Sequence, residues 1–166
     1  MAQVTGQIRG VPGVCAATLG PGATNLVTGV AGAFLDRAPV LALTAQIPAP
    51  AFATMTHQRV PLDRLFEPIT KRSATLGSGD SREITLAGMR LAAEPRPGPV
   101  HLALPGDVAV QECDISAAPA KIEENRSPDQ GMVPEIAARI NASERPLVLV
   151  GLAADPAFAP AVRALV

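Results

Sequence analysis

The stretch that decides the fold is residues 11–45, which read VPGVCAATLGPGATNLVTGVAGAFLDRAPVLALTA. Val11 to Thr18 is short, apolar and rich in small or branched residues, which is typical of a buried strand. Apolar residues then recur at helical spacing, with Thr24 or Asn25 as the cap of the helix. Val40 to Ala45 is a second continuous apolar run. Strand, helix and strand in succession form a βαβ unit, so the sequence predicts an α/β fold of three layers, a parallel sheet with helices on both faces.

Further helices and a third strand are predicted after this unit. Residues 47–61 contain three prolines and indicate a long loop, and residues 62–69 fit a short helix. Asp80 and Glu83 have the spacing of a capping box at the start of a longer helix. Residues 100–104 are largely apolar and predict the third strand.

The composition of the chain changes near Asp107, and the pattern beyond it predicts a second domain. We expect a first domain over residues 1–110, a linker over 111–132 because that stretch is acidic and without apolar periodicity, and the beginning of a second α/β domain over 133–166. Within this last part, residues 147–150 read as another buried strand.

Composition excludes several classes of protein. The chain has 166 residues, of which 48% are apolar and 17% charged, so it is not disordered. A net charge of −1 and only four aromatic residues, with no Trp or Tyr, argue against a nucleic-acid partner. Neither a signal peptide nor an apolar run long enough for a membrane span is present. The two cysteines, Cys15 and Cys113, have no metal-ligand spacing, and we expect a reduced cytoplasmic protein.

The turn after the first strand is the best candidate ligand site. Gly20-Pro21-Gly22 lets the backbone approach a ligand closely. Asn25 stands where a dinucleotide fingerprint needs its third glycine, and no Gly-Lys-Ser/Thr follows, so neither common phosphate motif is present. Spacing alone leaves two interpretations open, a tight structural turn or a ligand loop.

Three other polar positions have competing interpretations. Gln46 lies at the carboxyl end of a predicted strand, where α/β sheets bind ligands, but a side chain that bonds loop amides is the favoured interpretation. For His57, in the long loop, a surface residue is favoured over a catalyst. For His101, on a predicted strand, a buried structural imidazole is favoured.

Several motifs together resemble one enzyme family, the thiamine-diphosphate-dependent acetolactate synthases (acetohydroxyacid synthase large subunits). They occur in the order and spacing of that family across residues 1 to about 110, and the residues from Pro134 onward resemble the start of its central domain. The matching motifs are GVCAATLGPGATNLVTGVA at 13–31, FLDRAP at 34–39, HQ at 57–58, FEPITK at 66–71, RPGPVHL at 96–102 and LPGDV at 104–108.

The resemblance implies a cofactor site in the first domain. In such enzymes the N-terminal domain holds the aminopyrimidine ring of thiamine diphosphate, and a separate domain holds the diphosphate through Mg²⁺. By resemblance, Pro21, Gly22 and Asn25 line the pyrimidine pocket, Thr18 lies with them, and Gln58 faces the cofactor.

The resemblance also implies a reaction, which is decarboxylation of pyruvate and transfer of the hydroxyethyl unit to a 2-ketoacid, in branched-chain amino acid biosynthesis. FAD is a further cofactor that the longer protein can hold, and a homo-oligomer is expected. The family's catalytic Glu precedes a Met-Ala dipeptide that Met1-Ala2 matches, and its Gly-Asp-Gly diphosphate motif occurs nowhere in the 166 residues. We therefore assign no catalytic residue and no metal ligand, and we expect no activity from this chain alone.

Two alternatives remain open from the sequence. One is a short, non-catalytic interaction module derived from such an enzyme. The other is a fragment of a related thiamine-diphosphate decarboxylase or carboligase that acts on 2-ketoacids. Because the family's first strands would be missing, we also expect an exposed apolar sheet edge and self-association.

Overall fold

A computed structural model describes residues 1–112, 131–151 and 158–164 of the chain. The chain divides into two compact units, Met1–Pro119 and Ala120–Val166. The domain boundaries expected from the sequence, 1–110 and 133–166, stay predictions. Of the expected linker 111–132, residues 113–130 lie outside the described residues, as does Cys113.

The first unit is built on a sheet of four parallel strands in the order β1-β2-β4-β3. Gly13 is paired with Val40 and Val40 with Pro99, so the first three strands of this order begin at the same level of the sheet. This confirms the predicted parallel sheet. The strands are β1 (Gly13–Ala17), β2 (Val40–Gln46), β3 (Arg72–Thr75) and β4 (Pro99–Pro105).

Six α-helices precede, connect or follow these strands in the described part of the first unit. Short 3-10 helices at Ala49–Ala51 and Glu67–Ile69 lie in the connections on either side of the fourth helix. The helices are α1 (Ala2–Arg9), α2 (Pro21–Asn25), α3 (Val27–Leu35), α4 (Leu62–Phe66), α5 (Ser81–Ala93) and α6 (Gly106–Ala109).

Helices cover both faces of the sheet, because successive side chains of a strand point to opposite sides. On β2, Ala42 packs in one buried cluster with Val30 of α3 and Phe66 of α4. Its neighbour Leu41 packs in another cluster with Ala92 of α5. The predicted three layers are therefore confirmed.

Two local predictions about helix starts are wrong. The helix predicted from the apolar spacing is α3, which begins at Val27 with Leu26 at the cap position, so neither Thr24 nor Asn25 caps it. A separate short helix, α2, precedes it and begins at Pro21, because a proline at the first helical position already has the helical φ. The longer helix does begin after Asp80, but the side chain of Asp80 makes no capping hydrogen bond. A backbone bond from Ile84 N to Asp80 O starts this helix.

The second unit contains two described helices, α7 (Met132–Asn141) and α8 (Ala159–Ala164). An ion pair between Arg139 and Glu135, four residues apart, lies on the exposed surface of α7. The predicted buried strand at 147–150 is wrong, because these residues are exposed and have no strand conformation. A strand needs a neighbour for its backbone hydrogen bonds, and no strand is found among the described residues of this unit.

Large apolar side chains are exposed on α1 and on the strand β1, which lies at an edge of the sheet. We call these residues together the α1–β1 surface: Val4 and Ile8 on α1, Val11 before β1, and Val14, which faces the side of β1 opposite to α1 because its neighbour Gly13 packs against Ala2. Ile8 is the most exposed of the four, at 78%. No helix in the described parts of the chain has the length and apolar character needed to cross a membrane.

Candidate functional site

The candidate site is the turn between β1 and α2, at the carboxyl edge of the sheet. Strand β1 ends at Ala17, and α2 begins four residues later at Pro21. Gly20, between them, has φ 59° and ψ −124°, which is a conformation open to glycine and costly for other residues. A backbone bond of 3.0 Å from Thr24 N to Gly20 O closes the first helical turn.

Gln58 lies directly against this turn. A Cβ atom added to Gly20 would lie 2.7 Å from the Cβ of Gln58, so only a hydrogen fits at that position. Gln58 itself has φ 57°, which is uncommon for a residue with a long side chain. The loop of residues 47–61 therefore brings Gln58 into contact with the turn of residues 18–22. That turn carries three of the other predicted cofactor-binding residues, which are Thr18, Pro21 and Gly22.

Thr18 and Gly22 are in contact across the same turn. A Cβ atom on Gly22 would lie 2.4 Å from the Cγ2 atom of Thr18, so a larger residue at this position would displace the Thr18 side chain. Pro21 and Asn25, the first and last residues of α2, are both exposed. The fold thus places Thr18, Pro21, Gly22 and Asn25 within eight residues of one strand-to-helix connection.

Gln46 ends the neighbouring strand β2 and holds the base of the long loop. Its side chain is only 6% exposed. The Nε2 atom donates to the carbonyl oxygen of Val60 at 3.1 Å, and the Oε1 atom accepts from the amide of Ile47 at 2.9 Å. The favoured interpretation of Gln46, a side chain that bonds loop backbone, is confirmed.

His101 is a buried structural imidazole, as predicted. Its Nε2 atom lies 2.9 Å from Thr44 Oγ1, and its Nδ1 atom lies 2.8 Å from Ser73 Oγ. The ring stacks on Phe66 with the centroids 4.1 Å apart. Burial lowers the pKa of His101 from 6.5 to about 4, and the carboxylate of Asp63 only partly opposes this. His101 is therefore neutral near pH 7.

His57 is exposed in the long loop beside Gln58, in agreement with the surface position favoured from the sequence. In the described residues, no group of three or more His, Cys, Asp or Glu side chains is placed to hold a metal ion.

The positive φ of Gln58 and its contact with Gly20 are the parts of the site that sequence reasoning missed. A Gly-Pro-Gly turn signals an unusual backbone, but glutamine carries no such signal. The contact also joins two segments that are far apart in sequence, so no local pattern could have predicted it.

The site can recognise a flat, polar ring. Thr18, Asn25 and Gln58 are exposed and together offer a hydroxyl and two amides, which both donate and accept hydrogen bonds. The glycines at positions 20 and 22 let the side chains of Gln58 and Thr18 pack closely against the backbone of the turn. These residues fit the aminopyrimidine part of thiamine diphosphate, whose ring nitrogens and amino group need such partners.

Comparison with known proteins supports this cofactor. Residues 1–64 match the family described as "Thiamine pyrophosphate enzyme, N-terminal TPP binding domain", and this range contains all five predicted cofactor-binding residues. The family resemblance predicted from the motifs is confirmed. This chain corresponds to part of a thiamine-diphosphate-dependent, acetolactate synthase-like protein.

Similar proteins are acetolactate synthases from archaea and bacteria. The chain is 40% identical over 150 residues to the "Probable acetolactate synthase large subunit" of Methanocaldococcus jannaschii, covering 86% of this chain and 25% of that protein. It is 36% identical over 154 residues to the "Acetolactate synthase isozyme 1 large subunit" of Escherichia coli K12, covering 91% and 27%. The "Acetolactate synthase" of Mycobacterium bovis is 38% identical over 155 residues, covering 90% and 24%. The chain thus spans about a quarter of the length of these relatives.

Proposed function

We propose that the turn of residues 18–22, together with Asn25 and Gln58, binds the aminopyrimidine ring of thiamine diphosphate. The observation that carries this proposal is the contact between Gln58 and Gly20, because it joins two predicted cofactor-binding segments in one place. The match of residues 1–64 to a thiamine-diphosphate-binding domain supports the identity of the ligand.

Each residue of the turn has a distinct task in this proposal. Gln58 and Asn25 hydrogen-bond the polar edge of the ring, and the hydroxyl of Thr18 adds a further donor or acceptor. Pro21 offers an exposed apolar surface, and Gly22 leaves the space into which the Thr18 side chain packs. When bound, thiamine diphosphate supplies the electron sink for decarboxylation of a 2-ketoacid.

We extend the proposal to the longer protein of which this chain matches about a quarter. The relatives are named as acetolactate synthases. By the family resemblance, the longer protein would decarboxylate pyruvate and transfer the two-carbon unit to a 2-ketoacid. It would act in the cytoplasm, in branched-chain amino acid biosynthesis. Mg²⁺ would bind at the diphosphate end and FAD at a further site, and the proposal places neither on a described residue of this chain.

Titration calorimetry of the 166-residue chain with thiamine diphosphate tests the cofactor site. Because the family's diphosphate site lies in a separate domain, we expect weak but saturable binding, which the Gln58→Ala variant weakens roughly tenfold further, the effect of about one lost hydrogen bond. Gln7→Ala is the matched control, since Gln7 is an exposed glutamine on α1, away from the turn. Equal affinities for the two variants would contradict the proposal, as would the absence of binding to the unsubstituted chain.

A second role, self-association or docking of another protein, is favoured by the α1–β1 surface. Its exposed valines and isoleucine are costly to leave in water. We propose a second copy of this chain as the partner. Such self-association would be the role of the short, non-catalytic interaction module that the sequence left open.

A further inference from the structure

Gln46 closes the base of the loop that carries Gln58. This loop, residues 47–61, connects β2 to α4. The single side-chain amide of Gln46 bonds the first residue of the loop, at the Ile47 amide, and nearly the last, at the Val60 carbonyl. Because Gln46 is itself buried at the end of a central strand, the anchor is rigid.

Hydrogen bonds, rather than burial, hold the outer part of the loop. Residues 53–59 are all exposed, so they gain little from apolar packing. Arg59 bridges the two limbs, since its Nη1 atom donates to the carbonyl oxygens of Ala53 at 3.2 Å and Phe52 at 3.5 Å. Gln58, between Arg59 and the exposed tip, keeps its positive φ only if this framework is maintained.

We propose that Gln46 is a positioning residue that sets Gln58 against Gly20. It does not touch the turn itself. It fixes the separation of the two ends of the loop, and Gln58 lies two residues before the bonded carbonyl of Val60. The importance of this position for the cofactor rests on the proposed function, whereas the position itself can be measured without any ligand.

The Gln46→Met variant tests the proposal, because methionine has nearly the same length but neither hydrogen-bonding group. In the 166-residue chain, NMR reports the contact as a nuclear Overhauser effect between Gly20 Hα and Gln58 Hβ. The positive φ of Gln58 gives a strong effect between its own amide and Hα protons. We expect both signals in the unsubstituted chain and the loss of both in Gln46→Met.

Thr44→Val is the matched control. Thr44 lies two residues earlier on the same face of β2, is equally buried, and bonds His101 rather than the loop. It should lower the free energy of unfolding yet retain both Gln58 signals. Retention of the signals in Gln46→Met, or their equal loss in Thr44→Val, would overturn the proposal.

If Gln46→Met does not fold, hydrogen exchange in the unsubstituted chain tests whether Gln46 closes the base of the loop. We expect the side-chain amide protons of Gln46 and the backbone amide of Ile47 to be protected and to exchange at one common opening rate. Exchange of both at the rate of a free amide would show that the base of the loop is open, and would overturn the proposal.

Thiamine diphosphate titration links the position to the cofactor. We expect Gln46→Met to bind roughly tenfold more weakly, because a Gln58 that is no longer preorganised must be ordered on binding. Equal affinity despite a lost Gln58 contact would overturn the importance of Gln46 for the cofactor. If the unsubstituted chain binds no cofactor, the proposed function fails, while the NMR signals still decide the role of Gln46.

Discussion

Gly20 is the residue on which the candidate site depends most. It meets two separate demands, a backbone conformation that favours glycine and a distance to Gln58 that leaves no room for a side chain. Gly10, at the end of α1, meets only the first demand, with φ 66° and open space around it. Substitutions at Gly20 and Gly10 can therefore be compared to distinguish the cost of backbone strain from the cost of steric contact.

We expect Gly20→Ala to lower the free energy of unfolding by about 3 kcal/mol, from strain and overpacking together. Gly10→Ala should cost about 1 kcal/mol, from strain alone. Urea denaturation of both variants measures the difference. Equal losses would mean that Gln58 does not press on Gly20.

His101 makes the stability of the fold depend on pH. Its pKa is about 4 in the folded chain against 6.5 when unfolded, because burial disfavours the charged ring. The unfolded state therefore binds a proton between these values and the folded state does not. Stability is fully present above pH 6.5 and falls as the pH is lowered toward 4.

The expected loss from this group is about 2 kcal/mol between pH 6.5 and pH 5. Urea denaturation across this range should show the decrease in the unsubstituted chain and in His57→Gln, whose side chain is exposed. His101→Gln should lack this component. A pH dependence unaltered by His101→Gln would contradict the assignment.

At the scale of single elements, Lys71 holds the end of α5. Its ammonium group donates to the carbonyl oxygens of Leu91 and Glu94, which the helix leaves without intrahelical partners. Burial lowers the pKa of Lys71, and the nearby carboxylate of Glu94 partly restores it. Lys71 directly precedes β3, so these hydrogen bonds connect the start of that strand to the carboxyl end of α5.

We expect Lys71→Met to cost about 1–2 kcal/mol and to speed hydrogen exchange in the last turn of α5. Arg72→Met, a change at the exposed neighbouring residue, is the control and should leave that exchange unchanged. Unaltered exchange in Lys71→Met would show that α5 ends without this support.

Three of the four strands could be predicted from the sequence, although the burial expected of β1 was wrong, because Val14 is 53% exposed on this edge strand. β2 and β4 read as apolar runs because helices cover both sides of them. β3 was missed because its four residues, RSAT, are partly exposed at the sheet edge. The apolar run 147–150 was assigned wrongly, since composition cannot tell whether a partner strand is present.

In the candidate site, the turn between β1 and α2 could be predicted from the sequence. The contact of Gln58 with Gly20 could not, because it depends on long-range packing.

At the scale of the whole molecule, the α1–β1 surface favours association. We expect the 166-residue chain to sediment as an oligomer at micromolar concentration, and Ile8→Lys to shift it toward the monomer, because a charge on this surface opposes its burial. Leu149→Lys is the control, since Leu149 is as exposed as Ile8 but lies in the second unit. A monomeric unsubstituted chain would contradict this proposal.

Binding of thiamine diphosphate at the turn between β1 and α2 can be followed residue by residue. The most direct measurement is an NMR titration of the ¹⁵N-labelled chain with this cofactor, following the backbone amides of Gly20, Gly22 and Gln58. We predict that these amides shift together and saturate at one affinity, while that of Gly79, in a distant connection, does not move. Shifts confined to other parts of the chain, or none at the turn at saturating cofactor, would contradict the account.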